Sequence, residues 1–477
     1  MNPGINHNLP VHQFMERYLS RDRIPFHTPG HKGTLLNECN LGDMPVADIP
    51  DDLCGFPGVL EKSQQMAANL LWTSATYFLT NGSTAGVQAM FLTILQPGMK
   101  VIVGRNLHMS AVSAMIMTGA VPVYVPVEYD SQGIPLNITP GRIREVARQH
   151  PDAVAVFVTS PSYLGVCADL EEICQVTRQY RMHLLSDEAW GAHFPFGNDL
   201  PISALKAGAS MAVHGSHKTL PVLTGGAMLH VMNDDIPKDR VEECLSMVQT
   251  SSPNLLFYLS LERAVSMMKV QGPALLHTAR RNRDQAVAKI QEIMPGFLAD
   301  FDTIPGFDMD PLKLLLRTCP QQTGITGTQL AEMLIRRGSI IPEMADQDAV
   351  LFIFTGFESP GDGTALVEEL ATVYQALSSR GDPSHFKDQP LIMADIPRQA
   401  MSPREAFFSR GWKVPLESSE GRVCRTGLVP YPPGIPVFLP GEIITGDGVA
   451  HIMSVIDHGG VVRGLSGDDG GCYVDVI

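Results

Sequence analysis

The sequence predicts an α/β fold, a mostly parallel seven-stranded sheet with helices on both faces, followed by a smaller C-terminal α+β domain. Three observations lead there. Between Ala75 and His230, short β-branched or apolar runs alternate with helical segments, the pattern of strands joined by crossover helices. Beyond Met232 apolar residues recur at three- and four-residue intervals, which is helical spacing. Pro and Gly then become frequent around residues 295–306, after which strand and helix patterns resume on a smaller scale.

Composition narrows the class. The chain has 477 residues, 44% hydrophobic and 18% charged, so it can bury a substantial core and is neither disordered nor fibrous. Lys and Arg number 35 against 50 Asp and Glu, a formal charge of −15, which argues against nucleic acid or an anionic membrane surface as the main partner. A small cationic substrate is compatible with that balance, as is plain solubility. Residues 1–23 lack the apolar core of a secretory signal, so a cytoplasmic location is expected. The apolar stretch 114–127 is broken by Gly119 and Pro122 and is too short to span a bilayer. Eight cysteines show no C-x-x-C pair and no zinc-like spacing, so reduced thiols and no metal are expected.

The elements follow in order. Strands are expected over 76–79, 101–103, 121–125, 154–158, 183–185, 211–214 and 227–231. Helix 85–96 stops at Pro97-Gly98, and helix 170–180 starts at Asp169 with Glu171 and Glu172 in its first turn. Two helices, 255–271 and 273–294, are divided at Pro273. The smaller unit reads strand 312–316, helix 328–337, strand 350–354, helix 364–378, then a polar linker over 381–389 and a Pro- and Gly-rich tail. The domain division is an N-terminal segment 1–45, a large domain 46–300 and a C-terminal portion 301–477.

Four sites in the large domain carry chemistry. Asn81-Gly82-Ser83-Thr84 lies between a strand and a helix, where free N–H groups, hydroxyls and the helix dipole suit a phosphate; an N-capping turn reads the same way. Asp187, in Ser186-Asp187-Glu188-Ala189, ends a strand and faces the crevice of an open α/β sheet. A carboxylate there can keep the pyridinium of pyridoxal phosphate charged, or simply cap a helix. Lys218, in Gly215-Ser216-His217-Lys218-Thr219, follows another strand, where burial makes an amine nucleophilic toward an aldehyde. His108 follows the strand at 101–103 and could stack on a planar ring.

These runs resemble the Orn/Lys/Arg decarboxylase family of fold-type-I pyridoxal-phosphate enzymes, in the short form of bacterial biosynthetic arginine decarboxylases without an N-terminal wing domain. The resemblance rests on Thr28-Pro29-Gly30-His31-Lys32-Gly33, the runs from Asn81 and Arg105, and Thr159-Ser160-Pro161-Ser162-Tyr163-Leu164-Gly165-Val166. It continues through Asp187-Glu188-Ala189-Trp190-Gly191-Ala192-His193-Phe194, Ser216-His217-Lys218-Thr219-Leu220, and Tyr431-Pro432-Pro433-Gly434-Ile435-Pro436 with Pro440-Gly441-Glu442. Three positions depart from the commoner pattern: Leu223-Thr224-Gly225-Gly226 stands where relatives carry Gln, Met109 where Lys is usual, and Trp190 where short-form members often have His.

The resemblance implies pyridoxal 5'-phosphate as cofactor, Lys218 as the residue joined to its aldehyde, Asp187 on the ring nitrogen and His108 stacked on the ring. Ser83, Thr84, Ser216 and His217 would hold the phosphate, and Ala189 and Trp190 would lie against the cofactor's other side or the substrate. It also implies a homodimer or larger homo-oligomer with the site at the interface. The implied activity is decarboxylation of a basic amino acid, L-arginine to agmatine and CO2 in polyamine and spermidine biosynthesis, with lysine or ornithine as the alternative substrate. More distant alternatives are a fold-type-I aminotransferase or aldolase, and a cofactor-binding regulator without catalysis. A carboxylate must meet the substrate's distal cation, and the candidates are Asp51, Asp52 and Glu343.

Overall fold

A computed structural model describes residues 24–26, 59–130, 133–251, 253, 255–294, 296–297, 306–337, 340–378, 396–431, 434–457, 459–468 and 471–477. The central sheet contains β1 (Ala75–Leu79), β2 (Lys100–Gly104), β3 (Val121–Val125), β4 (Ala153–Thr159), β5 (His183–Asp187), β6 (Met211–His214) and β7 (Ala227–Val231). Their order across the sheet is β1-β7-β6-β5-β4-β2-β3. Every neighbouring pair is parallel except those made by β7, which runs antiparallel to both β1 and β6. The seven strands expected from the sequence are these seven.

Their near-continuous apolar runs follow from burial on both faces. Val101, Val103, Leu185, Met211 and Val213 pack on one side, with α1 (Gly82–Ile94) and α2 (Met109–Thr118). Ile102, Val156, Val158, Leu184 and Ala212 point to the other, toward α3 (Leu170–Gln179). The helix ends follow local chemistry: Asp169 caps α3 by accepting from Glu172 N–H, and Gly119 ends α2 in the left-handed conformation.

One expectation is corrected. Residues Leu255–Ile293 form a single helix, α4, with Pro273 inside it. Proline removes one backbone hydrogen bond and crowds the preceding turn. Here Leu261, Ala264, Val265 and Met268 before it, and Leu276, Ala279, Ala286 and Ile290 after it, belong to one buried cluster. Continuous burial of that stripe outweighs the local defect.

The smaller unit places β8 (Lys313–Arg317), β9 (Met344–Ala345) and β10 (Ala349–Ile353) in an antiparallel sheet, with β10 in the middle. Farther on, β11 (Val429–Tyr431) pairs with β12 (Val461–Arg463). Among the described residues no helix is long and apolar enough to cross a membrane, and no group of His, Cys, Asp and Glu could hold a metal ion.

Candidate active site

The carboxyl ends of β4, β5 and β6 lie side by side. Register pairs Thr159 with Asp187 and Asp187 with Val213, so the acid stands beside the strand that leads to Lys218. Asp187 is buried, and its Oδ1 accepts the Ala189 N–H at 3.1 Å. After β6 the chain makes one short helical turn, Ser216–Thr219, in which Lys218 N–H donates to Gly215 O at 2.8 Å. The turn brings the Lys218 amine 4.3 Å from the centre of the Trp190 ring. Burial holds that amine below the usual lysine range, while Asp187 and Glu343 pull it back up.

His108 is the N-cap of α2. Its Nδ1 accepts Ser110 N–H at 3.1 Å and lies 2.9 Å from Ser110 Oγ, which fixes the ring while leaving its outer edge exposed. Partial burial lowers its pKa; Asp187 opposes that effect, and Lys218 and Arg463 add to it. Histidine, aspartate and lysine, from three different strand ends, therefore share one electrostatic neighbourhood. Glu343 joins them from the segment before β9: its Oε1 accepts the Tyr163 hydroxyl at 3.1 Å, and its charge reaches Lys218. Asp51, Asp52 and the run Thr28 to Gly33 lie outside the described residues.

Ser83 and Thr84 occupy the first turn of α1, half-buried. That turn is tied down by Gly82 N–H donating to Gly225 O at 2.8 Å. Gly225 sits at φ +99°, a backbone conformation that side chains disfavour, so the loop's departure to glycine suits the geometry it adopts. His217 turns toward the same loop, with Nδ1 3.1 Å from Gly226 O. Ala189 and Trp190 are buried next to Lys218.

Sequence reasoning missed a cluster behind Trp190. Lys313, on β8, places its amine 4.2 Å from the centre of the same indole ring and donates to Tyr163 O at 2.6 Å. Tyr163 packs edge-on against Trp190, with ring centres 5.2 Å apart. Asp310 accepts Leu312 N–H at 3.0 Å and lies 3.2 Å from His193 Nε2. The available signal was charge at the wrong place: Asp310 and Lys313 flank the start of an apolar strand and are both buried. A second buried chain leads away from Glu188, whose Oε2 is 2.7 Å from His214 Nε2; His214 Nδ1 in turn lies 3.1 Å from His230 Nε2.

These residues fit pyridoxal phosphate. Ser216 Oγ is fully buried with no hydrogen-bond partner, a donor such as a phosphate oxygen requires. The nearby buried carboxylate and amine are the two groups the cofactor's ring nitrogen and aldehyde need.

Comparison with known proteins agrees. The Orn/Lys/Arg decarboxylase major domain matches residues 9–300, and the C-terminal domain of that family matches residues 387–458. The arginine decarboxylase of Bacillus subtilis (strain 168) is 31% identical over 472 residues, covering 96% of this chain and 96% of its own. Lysine decarboxylase LdcA of Pseudomonas aeruginosa is 24% identical over 560 residues, covering 91% of this chain and 74% of its own. The solved structure of Francisella novicida lysine decarboxylase LdcF shares the fold, with a TM-score of 0.78 at 19% identity over 98% of this chain and 83% of its own. The fold-type-I architecture and the cofactor implied by the sequence both hold. With its major-domain match spanning most of its length, this chain belongs to the Orn/Lys/Arg decarboxylase family, pyridoxal-phosphate-dependent decarboxylases of basic amino acids.

Proposed function

We propose that this enzyme decarboxylates L-arginine to agmatine and CO2, with Lys218 carrying the cofactor, Asp187 facing its ring nitrogen, His108 lying on the ring, and Ser83, Thr84, Ser216 and His217 around its phosphate. The observation that carries the reading is the convergence of Asp187, His108 and Glu343 on the Lys218 amine. When bound, pyridoxal phosphate supplies the sink for the electron pair released from the Cα–carboxylate bond.

The protein's own contributions follow from the side chains. Lys218 is half-buried and its amine is held below the usual lysine range, so it can hold the cofactor as a nucleophile and, once free and protonated, give that proton to Cα. Trp190 and Tyr163 form an aromatic wall that keeps water from the departing carboxylate. Tyr163 stays protonated, because burial and Glu343 both push its pKa up, and its hydroxyl holds Glu343 in place.

In this reading Glu343 receives the substrate's distal cation, in preference to Asp51 and Asp52. A planar guanidinium pairs with a carboxylate through two parallel hydrogen bonds, which favours arginine over an ammonium side chain at such a site. The Bacillus arginine decarboxylase, of nearly the same length, supports that choice. A homo-oligomer whose neighbouring subunit covers the exposed edge of His108 completes the reading.

The test is a panel of arginine, lysine and ornithine with purified enzyme, reading amine and CO2, together with borohydride reduction and peptide mapping of the cofactor-bearing residue. Agmatine from arginine and a label on Lys218 are expected. A label on another lysine, or turnover of lysine or ornithine alone, overturns the corresponding part.

A further inference from the structure

Glu188 stands in the chain between Asp187 and the Ala189-Trp190 pair, yet its carboxylate bonds elsewhere. Oε2 accepts the Ser203 hydroxyl at 2.8 Å and lies 2.7 Å from His214 Nε2, and Oε1 accepts Ala204 N–H at 2.9 Å. From His214 the contacts continue. His214 Nδ1 lies 3.1 Å from His230 Nε2, His230 Nδ1 lies 2.9 Å from Thr76 Oγ1, and that hydroxyl is 2.8 Å from Thr73 Oγ1. In the order of the sheet this relay leaves the end of β5, crosses β6 and β7, and reaches β1. Glu188, His214, His230 and Thr76 are all buried, and the half-buried Thr73 ends the run.

A buried carboxylate is costly unless donors meet its oxygens, and a fully satisfied polar network is rigid. Here each ring nitrogen has a partner in either of two arrangements: donors pointing toward Glu188 with His214 neutral, or away from a protonated His214. Burial, and then the charge of His214, hold His230 well below the ordinary histidine range, so His230 is the neutral link in both.

Asp187 is held differently. Among the described residues its carboxylate has one hydrogen bond, from Ala189 N–H to Oδ1 at 3.1 Å, made inside the turn itself. The aim of that carboxylate therefore depends on the turn, and the turn is built around Glu188. Glu188 N–H donates to Val213 O at 3.0 Å, and Glu188 O accepts Gly191 N–H at 2.9 Å. A Cβ on Gly191 would come 2.6 Å from Glu188 Cγ, so the backbone closes tightly on this side chain.

We propose that Glu188, held by His214, Ser203 and Ala204, is a positioning residue for Asp187, and that the relay through His214, His230 and Thr76 anchors it across the sheet. This rests on the reading of Asp187 as the partner of the cofactor's ring nitrogen. A proton path into the site fits poorly, because the relay ends on a carboxylate whose hydrogen bonds go to Ser203, Ala204 and His214 and to no group beside Lys218.

Two measurements test the role. Hydrogen–deuterium exchange of the full-length chain freed of cofactor reads the turn, and steady-state kinetics of the loaded enzyme read the consequence. In His214→Phe the peptide spanning 187–193 should exchange about tenfold faster, while peptides from α3 and β2 keep their wild-type rates. In the same variant kcat should fall about tenfold with KM within about twofold. His214→Gln, whose amide offers an N–H to Glu188 and an oxygen to His230, should recover most of both; a loss as large as in His214→Phe overturns the role of the relay. In an Asp187→Asn background, His214→Phe should lower kcat by less than about twofold, since it acts through Asp187, and full additivity overturns the proposal. Ser203→Ala removes another donor to Glu188, should change both readouts about threefold, and decides the matter if His214→Phe does not fold. Exchange and kcat unchanged in whichever of these variants folds rejects the proposal. Near-normal turnover of Asp187→Asn alone rejects the underlying reading instead, so the two failures are distinguishable.

Discussion

Arg105 and Glu442 form a buried ion pair, with Nη2 2.9 Å from Oε2, that joins the end of β2 to the C-terminal part of the chain. Arg105 also donates to Pro436 O at 2.9 Å and Val437 O at 3.0 Å, and Glu442 Oε2 accepts Leu439 N–H at 2.7 Å. One guanidinium thus holds the Pro-rich tail next to the strand that leads to His108. Burial drives the Glu442 carboxyl up, and Arg105 is the largest influence restoring its charge.

Breaking the pair from one side should therefore cost more than removing it. Arg105→Met leaves a buried carboxylate without its counter-charge and two backbone carbonyls without this donor, at about 3–5 kcal/mol. The double variant Arg105→Met with Glu442→Leu should recover a substantial part of that loss. Urea denaturation of the three proteins measures this, and a double variant no more stable than Arg105→Met alone contradicts the account.

Glu343→Gln keeps the shape and removes the charge that the substrate cation is proposed to meet. A charge-assisted hydrogen bond contributes about 1.5–3 kcal/mol, so KM for arginine should rise by roughly 10- to 100-fold while kcat falls less. Tyr163→Phe, which only frees Glu343 to move, should have a smaller effect in the same direction. Steady-state kinetics decide it; an unchanged KM in Glu343→Gln places the cation elsewhere.

Asp187→Asn should leave the cofactor bound through Lys218 but lower turnover by roughly 100-fold or more, because an amide cannot keep the ring nitrogen positively charged. Absorbance of the bound cofactor and the rate of CO2 release, measured on one preparation, separate the two effects. Near-normal turnover removes Asp187 from the role.

The seven strands were legible because each is a short apolar run closed by turn chemistry, and that information is local. Asp187, Lys218 and His108 were legible for the same reason: each directly ends or follows such a run, and parallel strands bring their carboxyl ends together. The division at Pro273 was misread because the local rule for proline is overridden by a buried stripe visible only once the core is assembled. Lys313 and Asp310 were invisible because they act across a distant loop closure, Lys313 on Tyr163 150 residues away in sequence. The Arg105 and Glu442 runs were both noticed, but nothing in one chain's order says that they touch.

Asp346 gives the molecule a pH dependence with a definite sign. It sits in the turn joining β9 to β10, where Oδ1 accepts the Asp348 and Ala349 N–H groups at 2.9 and 2.8 Å. Burial pushes its carboxyl from 3.8 up to about 6, with the Asp348 charge adding to that and the two N–H groups opposing it. A carboxyl raised in the native state binds its proton more tightly there than in the unfolded chain. Its contribution to stability is therefore complete below the unfolded value and is lost as pH rises through about 6. Asp346→Asn retains an oxygen acceptor for both N–H groups without the charge. Its stability relative to wild type should thus increase from about pH 4 to about pH 7, by about 1–2 kcal/mol after allowance for partial solvent exposure. Thermal or urea unfolding of both proteins at several pH values measures that difference, and a difference that stays flat or falls with pH shows that the Asp346 carboxyl is ionised at its ordinary value in the folded protein.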